Sequence, residues 1–151
     1  MVQVRLMWDE GADRSVPLPE YATAGAAGAD VRANLPGGVS VTLAPGARAL
    51  IPTGLRVAVP DGFELQVRPR SGLALKQGLM LVNAPGTIDS DYRGPLGVIV
   101  LNAGDAPVVI AHGMRIAQLI VAPVVQATFG LVGGLDDTGR GAGGFGSTGV
   151  I

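Results

Sequence analysis

Short apolar stretches separated by turn-forming residues run along most of the chain. Within each stretch apolar residues alternate with polar ones or form a brief run, which is typical of β-strands with one or both faces buried. Clusters of Pro, Gly, Asn and Asp interrupt them at intervals of about ten residues, a spacing typical of β-sandwiches. The pattern therefore predicts an all-β fold, a jelly-roll-like β-sandwich. The predicted strands are centred on residues 2–6, 39–43, 55–59, 63–67, 79–82, 98–101, 108–110 and 119–121.

Two local signals refine this pattern. Residues 71–78 predict one short helix, with Ser71 as its N-cap and Gly78 as its end. The sequence Pro52-Thr53-Gly54 predicts a turn.

The chain divides into two parts by composition. Residues 1–135 carry the strand pattern and are predicted to form the jelly-roll core, whereas residues 136–151 are glycine-rich and nearly devoid of apolar anchors. A segment of that kind is expected to be mobile on its own. Residues 141–146 have the spacing of a dinucleotide-binding glycine fingerprint, but no strand precedes them and no helix follows, which excludes that fold. The segment can still wrap a phosphate while Phe145 stacks on a base, or it can be a disordered tail.

Length, charge and composition exclude several classes of function. With 151 residues the chain is one domain, and 11 basic against 12 acidic residues leave no overall field that would attract nucleic acid. Cysteine is absent and His112 is the single histidine, which excludes a disulfide framework, a thiolate nucleophile and the usual zinc sites. His112 precedes Gly113 and is interpreted as a turn residue rather than a catalytic base. Neither a leader peptide nor a membrane-length apolar stretch is evident, so we expect a soluble cytoplasmic protein without a membrane partner.

Residues 83–94 combine an amide, carboxylates and an aromatic ring in one strand-turn-strand sequence. Pro85-Gly86 predicts a turn, so Asn83 and Tyr92 are expected to face each other across a hairpin with Asp89 at its mouth. Such a hairpin can build a small polar pocket. The alternative is a surface hairpin with solvated acids.

A second group of residues is suited to anions. Arg70, Ser71 and Gly72 lie at the start of the predicted helix, where free N–H groups and the positive end of the helix dipole favour phosphate. Arg115 and Gln118 lie on another predicted strand. The alternative is that these arginines form structural ion pairs.

Five segments, in order, resemble the five motifs of the trimeric deoxyuridine triphosphatases, the dUTPases. The resemblance extends from residue 27 to residue 149 and so covers nearly the whole chain. The five segments are residues 27–31 (AGADV), 68–74 (RPRSGLA), 83–94 (NAPGTIDSDYRG), 113–119 (GMRIAQL) and 140–149 (RGAGGFGSTG).

The resemblance implies a homotrimer that hydrolyses dUTP to dUMP and pyrophosphate with Mg²⁺. In this family Asp89 would be the general base that activates water, and Asp30 would hold a metal-bound water while the substrate phosphates hold Mg²⁺. The arm 136–151 would close over the active site of a neighbouring subunit. Substrate contacts would come from Arg70, Ser71, Gly72, Asn83, Thr87, Asp89, Tyr92, Gln118, Arg140, Phe145, Gly146, Ser147 and Thr148.

Two other functions stay open at this stage. The deoxycytidine triphosphate deaminases share the fold, but they resemble this chain less because a Glu stands before the Gly that ends the hairpin, where this chain has Arg93-Gly94. A non-catalytic jelly roll that only binds a nucleotide is the second. Ammonia release would identify the former, and binding without pyrophosphate release the latter.

Overall fold

The computed structural model describes residues 2–149, and its regular secondary structure is almost entirely β-strand. It contains one four-stranded sheet in the order β1-β5-β9-β7, one five-stranded sheet in the order β2-β3-β11-β6-β8, and a two-stranded ribbon of β10 and β4. The strands are β1 (Arg5–Trp8), β2 (Glu20–Tyr21), β3 (Ala29–Arg32), β4 (Val41–Leu43), β5 (Arg48–Ala58), β6 (Phe63–Arg68), β7 (Leu79–Leu81), β8 (Gly86–Ile88), β9 (Pro95–Asn102), β10 (Val108–Ile110) and β11 (Arg115–Pro123). The predicted jelly-roll-like sandwich is confirmed.

The core forms from the inward faces of the two large sheets. Alternate residues of β5 are buried, as expected for a strand with one covered face, and β9 repeats the alternation. Val57 and Val98 from the four-stranded sheet belong to the same buried cluster as Val67 and Leu119 from the five-stranded sheet. Removing this apolar surface from water is the main force that holds the sheets together.

The predicted helix is confirmed as α1 (Ser71–Gln77), but its predicted N-cap is wrong. Arg70 occupies the N-cap position with extended backbone angles and makes no capping hydrogen bond from its side chain, so Ser71 is the first residue of the helix. Gly78 ends the helix in the left-handed conformation, as predicted. Among residues 2–149, no helix is long and apolar enough to cross a membrane.

The turn predicted at Pro52-Thr53-Gly54 is wrong, because β5 continues through these residues. The register with β9 shifts between Pro52 and Leu55, which marks a β-bulge. Gly54 has φ of 69°, so the signal that predicted a turn is explained by the bulge. Thr53 stays buried because its hydroxyl donates a hydrogen bond of 2.6 Å to the Leu96 carbonyl.

Two strands escaped prediction, and one was displaced. β2 and β3 are short, and β3 contains Asp30 and Arg32 beside a single strand-forming Val31. The strand predicted at residues 2–6 instead covers Arg5–Trp8. His112 and Gly113 form a turn, as expected from their sequence.

Candidate active site

A cavity of about 610 Å³ lies against the outer side of the β5–β9 pair. Pro52 and Gly54 from the bulge and Gly97 from β9 line part of it. One wall comes from the connection between β7 and β9. The predicted site residues Asn83, Thr87, Asp89 and Tyr92 all line this cavity.

The predicted hairpin between residues 83 and 94 is wrong in its pairing. β7 pairs with β9, whereas β8 pairs with β6, so the segment crosses from one large sheet to the other. The peptide bond between Ala84 and Pro85 is cis at this crossing. Asn83 and Tyr92 still line one cavity, Asn83 from the residues just after β7 and Tyr92 from the connection between β8 and β9.

Tyr92 is fixed at the mouth of the cavity by local contacts. Its amide donates a hydrogen bond of 3.2 Å to the Asp89 carbonyl, and its hydroxyl donates one of 3.0 Å to the Pro95 carbonyl. A Cβ at Gly94 would collide with the Tyr92 hydroxyl, so only glycine lets the ring fold back over the chain. The ring remains 41% exposed and so has a free surface for a ligand.

The opposite wall of the cavity comes from residues that the sequence did not single out. Asp9, Glu10, Gly11 and Ala12, in the connection from β1 to β2, line the cavity together with Asn34. The polar sequence of this connection gave no signal beyond that of an ordinary loop.

The predicted anion-binding residues form a separate cluster where β3, β6 and β11 lie side by side. Gln118 of β11 is the register partner of both Asp30 and Arg68, and α1 begins two residues after β6 ends. Ser71 and Gly72 lie exposed in the first turn of α1. Free N–H groups of a helix start are therefore presented beside Arg70 and Gln118.

Asp30 holds two arginines in this cluster. Its Oδ1 lies 2.9 Å from Arg70 Nε and its Oδ2 lies 3.0 Å from Arg115 Nη1, with the carboxylate side chain only 13% exposed. Anion binding and structural ion pairing by these arginines are thus compatible, because an ion pair through one edge of a guanidinium leaves other N–H donors free.

Gln118 is fixed from two sides. Its Nε2 donates a hydrogen bond of 2.9 Å to the Pro69 carbonyl. On the other side Gly28 lies so close that a Cβ there would sit 3.1 Å from Gln118 Cβ and 2.5 Å from Oε1. The side chain therefore has room only because residue 28 is glycine.

Within one chain the cavity group and the anion group lie at opposite ends of the β6–β8 pair. Ile88 is the register partner of Leu65, so Asp89 extends toward Glu64, whereas Arg70 follows the other end of β6. Six residues separate positions 64 and 70. At about 3.3 Å per strand residue, Asp89 and Arg70 are roughly 20 Å apart along the sheet.

The C-terminal segment stays outside both sheets. The last strand ends at Pro123, and nearly every residue from 124 to 149 is exposed, including residues 124–135, which the sequence assigned to the core. Arg140 Nε donates to the Gly143 carbonyl at 2.8 Å, and Phe145 is fully exposed with φ of 50°. Gly146, Ser147 and Thr148 follow in exposed turns, so none of these predicted site residues joins the cavity within the chain.

Comparison with known proteins places this geometry in a family. The sequence model of the dUTPase family matches residues 14–149. The chain is 68% identical over 149 residues to a deoxyuridine 5'-triphosphate nucleotidohydrolase of Roseobacter denitrificans, an alignment that covers 99% of this chain and 97% of that protein. It is 58% identical over 151 residues to the protein of the same name from Dinoroseobacter shibae, covering 98% and 97% of the two chains.

A solved structure agrees with these sequence matches. The dUTPase of Staphylococcus bacteriophage 80alpha, determined with dUpNHpp, superimposes with a TM-score of 0.84 at 26% identity and covers 98% of this chain and 99% of its own. Because the family match and the relatives span almost the entire sequence, the chain belongs to the dUTPase family.

Proposed function

We propose that the protein hydrolyses dUTP to dUMP and pyrophosphate, with Asp89 as the general base. Membership of the dUTPase family makes it a dUTP diphosphatase. The observation that carries the mechanism is the cavity wall on which Asp89 lies beside Asn83 and Tyr92. A base, an amide and an aromatic ring on one wall suit a nucleotide whose reactive phosphate lies next to a carboxylate.

Asp89 activates a water molecule for attack on the α-phosphorus. Its carboxylate accepts a proton from the water as the water oxygen bonds to phosphorus, and the bond from phosphorus to the bridging oxygen breaks. Pyrophosphate leaves in line with the attack. Asp89 is exposed, and although its backbone carbonyl accepts a bond from the Tyr92 amide, its carboxylate has no hydrogen-bond partner among the described residues.

Asn83 and Tyr92 select the nucleoside. The Asn83 amide presents both a donor and an acceptor, which match the edge of uracil. The Tyr92 ring packs against the sugar and occupies the space that a ribose 2′-hydroxyl would need. Thr87 adds a hydroxyl on the same wall.

Arg70, Ser71, Gly72 and Gln118 bind the phosphates. The ion pair with Asp30 orients the Arg70 guanidinium, and the hydrogen bond to Pro69 orients the Gln118 amide. Donors fixed before substrate arrives stabilise charge that develops on the phosphates without a cost of reorganisation.

Two copies of the chain must share each active site. A general base acts within about 3 Å of the water it deprotonates. The separation of roughly 20 Å along β6 and β8 therefore prevents Asp89 and Arg70 of one chain from serving the same α-phosphorus. A site that joins the cavity of one copy to the anion cluster of the next is a head-to-tail contact, and such contacts form a ring when the rotation between copies closes. The proposed ring is the homotrimer.

The arm completes the site from a neighbouring copy. Arg140, Phe145, Gly146, Ser147 and Thr148 are exposed and make no contact with their own cavity, so they are free to close over another. Arg140 binds the γ-phosphate, Phe145 stacks on uracil, and the two hydroxyls add phosphate contacts. Closure excludes bulk water.

Magnesium is held mainly by the substrate. Among residues 2–149, no group of three or more His, Asp or Glu side chains is arranged to hold a metal ion. Direct ligation by Asp30 would break its two ion pairs, so Asp30 fits Mg²⁺ only through a bound water. Mg²⁺ suits such a site because it keeps several waters and takes phosphate oxygens. When bound, it neutralises charge on the triphosphate.

One assay tests the proposal against the two alternatives. The protein is incubated with dUTP or dCTP in the presence of Mg²⁺, and pyrophosphate and ammonia are measured while native mass spectrometry reports the oligomer. We expect pyrophosphate from dUTP, no ammonia, and a trimer. Ammonia from dCTP would identify a deaminase, and dUTP binding without pyrophosphate would identify a binding module.

A further inference from the structure

The connection between β1 and β2 is built as a fixed wall rather than a loose loop. Its residues Asp9–Ala12 line the same cavity as Asp89. The Asp9 amide donates a hydrogen bond of 2.8 Å to the Gly54 carbonyl, and Asp9 Oδ1 lies 2.7 Å from Arg56 Nε. The bond from Arg56 is also the main cause that holds the pKa of Asp9 below its ordinary value. Asp9 is thus tied to the bulge of β5 at the start of the wall.

Asn34 ties the other end of the wall. Its Oδ1 accepts a hydrogen bond of 3.1 Å from the Asp13 amide, and its Nδ2 donates one of 2.8 Å to the Asp13 carbonyl. The Asn34 amide itself donates to the Pro52 carbonyl at 2.8 Å. Asn34 is only 5% exposed, so each of these bonds satisfies a group that would be costly to leave unpaired.

The bulge of β5 makes room for this connection. A Cβ on Gly54 would lie 2.7 Å from Asn34 Cγ and 2.9 Å from Ala12 Cβ. The glycine therefore lets Asn34 and Ala12 approach the backbone at the point where both line the cavity.

We propose that Asn34 is a positioning residue that holds the Asp9–Ala12 segment as the second wall of the nucleotide cavity, and that this wall sets affinity for the nucleoside. The inference rests on the proposed function, because it requires a nucleotide in the cavity. Asp9 on this wall is neutralised by its ion pair with Arg56, whereas the Glu10 carboxylate has no ion-pair partner among the described residues and repels phosphates. The uncharged deoxyuridine portion therefore faces it, and the triphosphate extends away.

Asn34→Ala tests the role of the side chain. Removing both bonds to Asp13 releases the wall, so we expect KM for dUTP to rise about tenfold, since net contributions of neutral hydrogen bonds are of this order. We expect kcat to stay within about twofold of the native value, since the wall does not touch the reacting phosphorus.

Asn102→Ala is the matched control. Asn102 is also fully buried, and its amide donates to the carbonyls of Leu43 and Ala106, remote from the cavity lining. It should lower the melting temperature and leave KM unchanged when assayed well below melting. An unchanged KM in folded Asn34→Ala, or a fall in kcat alone, overturns the proposal.

Hydrogen exchange of the wild-type protein tests the same proposal even if Asn34→Ala does not fold. Addition of dUMP should slow exchange of the amides in residues 9–13 as well as in residues 83–92. Protection of residues 83–92 alone would contradict the proposed role of the Asp9–Ala12 wall while leaving the proposed function intact. Absence of protection in both segments, together with absence of dUTP hydrolysis, would instead count against the proposed function.

Discussion

The walls of the cavity and the C-terminal segment are held by different sets of partners. Asp9, Asp13 and Tyr92 are tied by hydrogen bonds to the bulge of β5, to Asn34 and to the start of β9. The hydrogen bonds of residues 138–149 instead join near neighbours within that segment, at spacings of three residues. One region is therefore organised by the folded core, whereas the hydrogen bonds of the other are all local. The difference separates the groups proposed to perform the reaction from the groups proposed to close around it.

The largest expected effect is on turnover, from a substitution of Asp89 in the cavity wall. Asp89→Asn keeps the size of the side chain but removes the proton acceptor, so turnover should fall by a factor of about 10² to 10⁴ while dUTP binding is retained. Steady-state kinetics and calorimetric titration with dUMP would measure the two quantities. Turnover near that of the wild type would show that another group is the base.

Removing the arm tests the unorganised region. A chain truncated after Leu135 should keep its melting temperature, because the last strand ends at Pro123, but should lose turnover by roughly 100-fold, as misplaced catalytic geometry does. Thermal unfolding followed by circular dichroism provides the control for folding. A large drop in melting temperature would mean that the arm belongs to the core after all.

Mixing the two variants tests whether the regions come from different copies. Truncated chains supply Asp89 and full-length Asp89→Asn chains supply the arm, so co-refolded trimers should regain part of the activity that neither parent has. Mixed trimers that are verified by native mass spectrometry and remain inactive would place the arm over its own subunit.

Tyr92→Ala should produce a smaller effect that is confined to sugar choice. Removing the ring opens the space proposed to exclude a 2′-hydroxyl, so the ratio of UTP to dUTP hydrolysis should rise about tenfold, the scale on which pocket shape discriminates. Competition assays with both nucleotides measure the ratio. An unchanged ratio would assign sugar selection to another part of the site.

The smallest expected effect is on stability, through the pH dependence of the contribution from Asp13 at the end of the fixed wall. Hydrogen bonds from Ser15, assisted by His112, hold the pKa of Asp13 below its ordinary value of 3.8. A lowered folded-state pKa stabilises the protein at pH values above the unfolded pKa, and this contribution is lost as pH falls through the folded pKa. The melting-temperature difference between wild type and Asp13→Asn should therefore be largest near neutral pH and shrink below about pH 4. A difference that is constant from pH 7 to pH 3 would contradict this assignment.

Sequence patterns predicted strands in which one residue in two is buried. β5, β6 and β9 alternate clearly, and Gly78 marks the end of α1 by its backbone alone. Strand β3 escaped because Asp30 and Arg32 occupy its open face. Asp30 pairs there with Arg115 of β11 and with Arg70 just before α1. Arg32 pairs with Glu20 of β2. Local sequence patterns do not reveal such partners, because the partners lie far from β3 along the chain.

The candidate site was predicted as a set of residues but not as an arrangement. Asn83, Thr87, Asp89 and Tyr92 do meet at one cavity, yet the hairpin expected to join them is absent because β7 and β8 pair with different strands. The wall of Asp9–Ala12 gave no signal because its contribution depends on the bulge at Gly54 and on Asn34, which are distant in sequence. Long-range backbone geometry of this kind is not encoded in local patterns.

The absence of a side chain at Gly28 has a consequence for how this enzyme can change. Gln118 fills the space that any larger residue would require, and it cannot move aside without giving up its bond to Pro69. A larger residue at position 28 therefore displaces the Gln118 side chain from its anchor, and a smaller residue at position 118 gives up the anchor but opens space beside residue 28. The effects of substitutions at the two positions should thus be non-additive, and a library that varies them together would sample combinations that single changes miss.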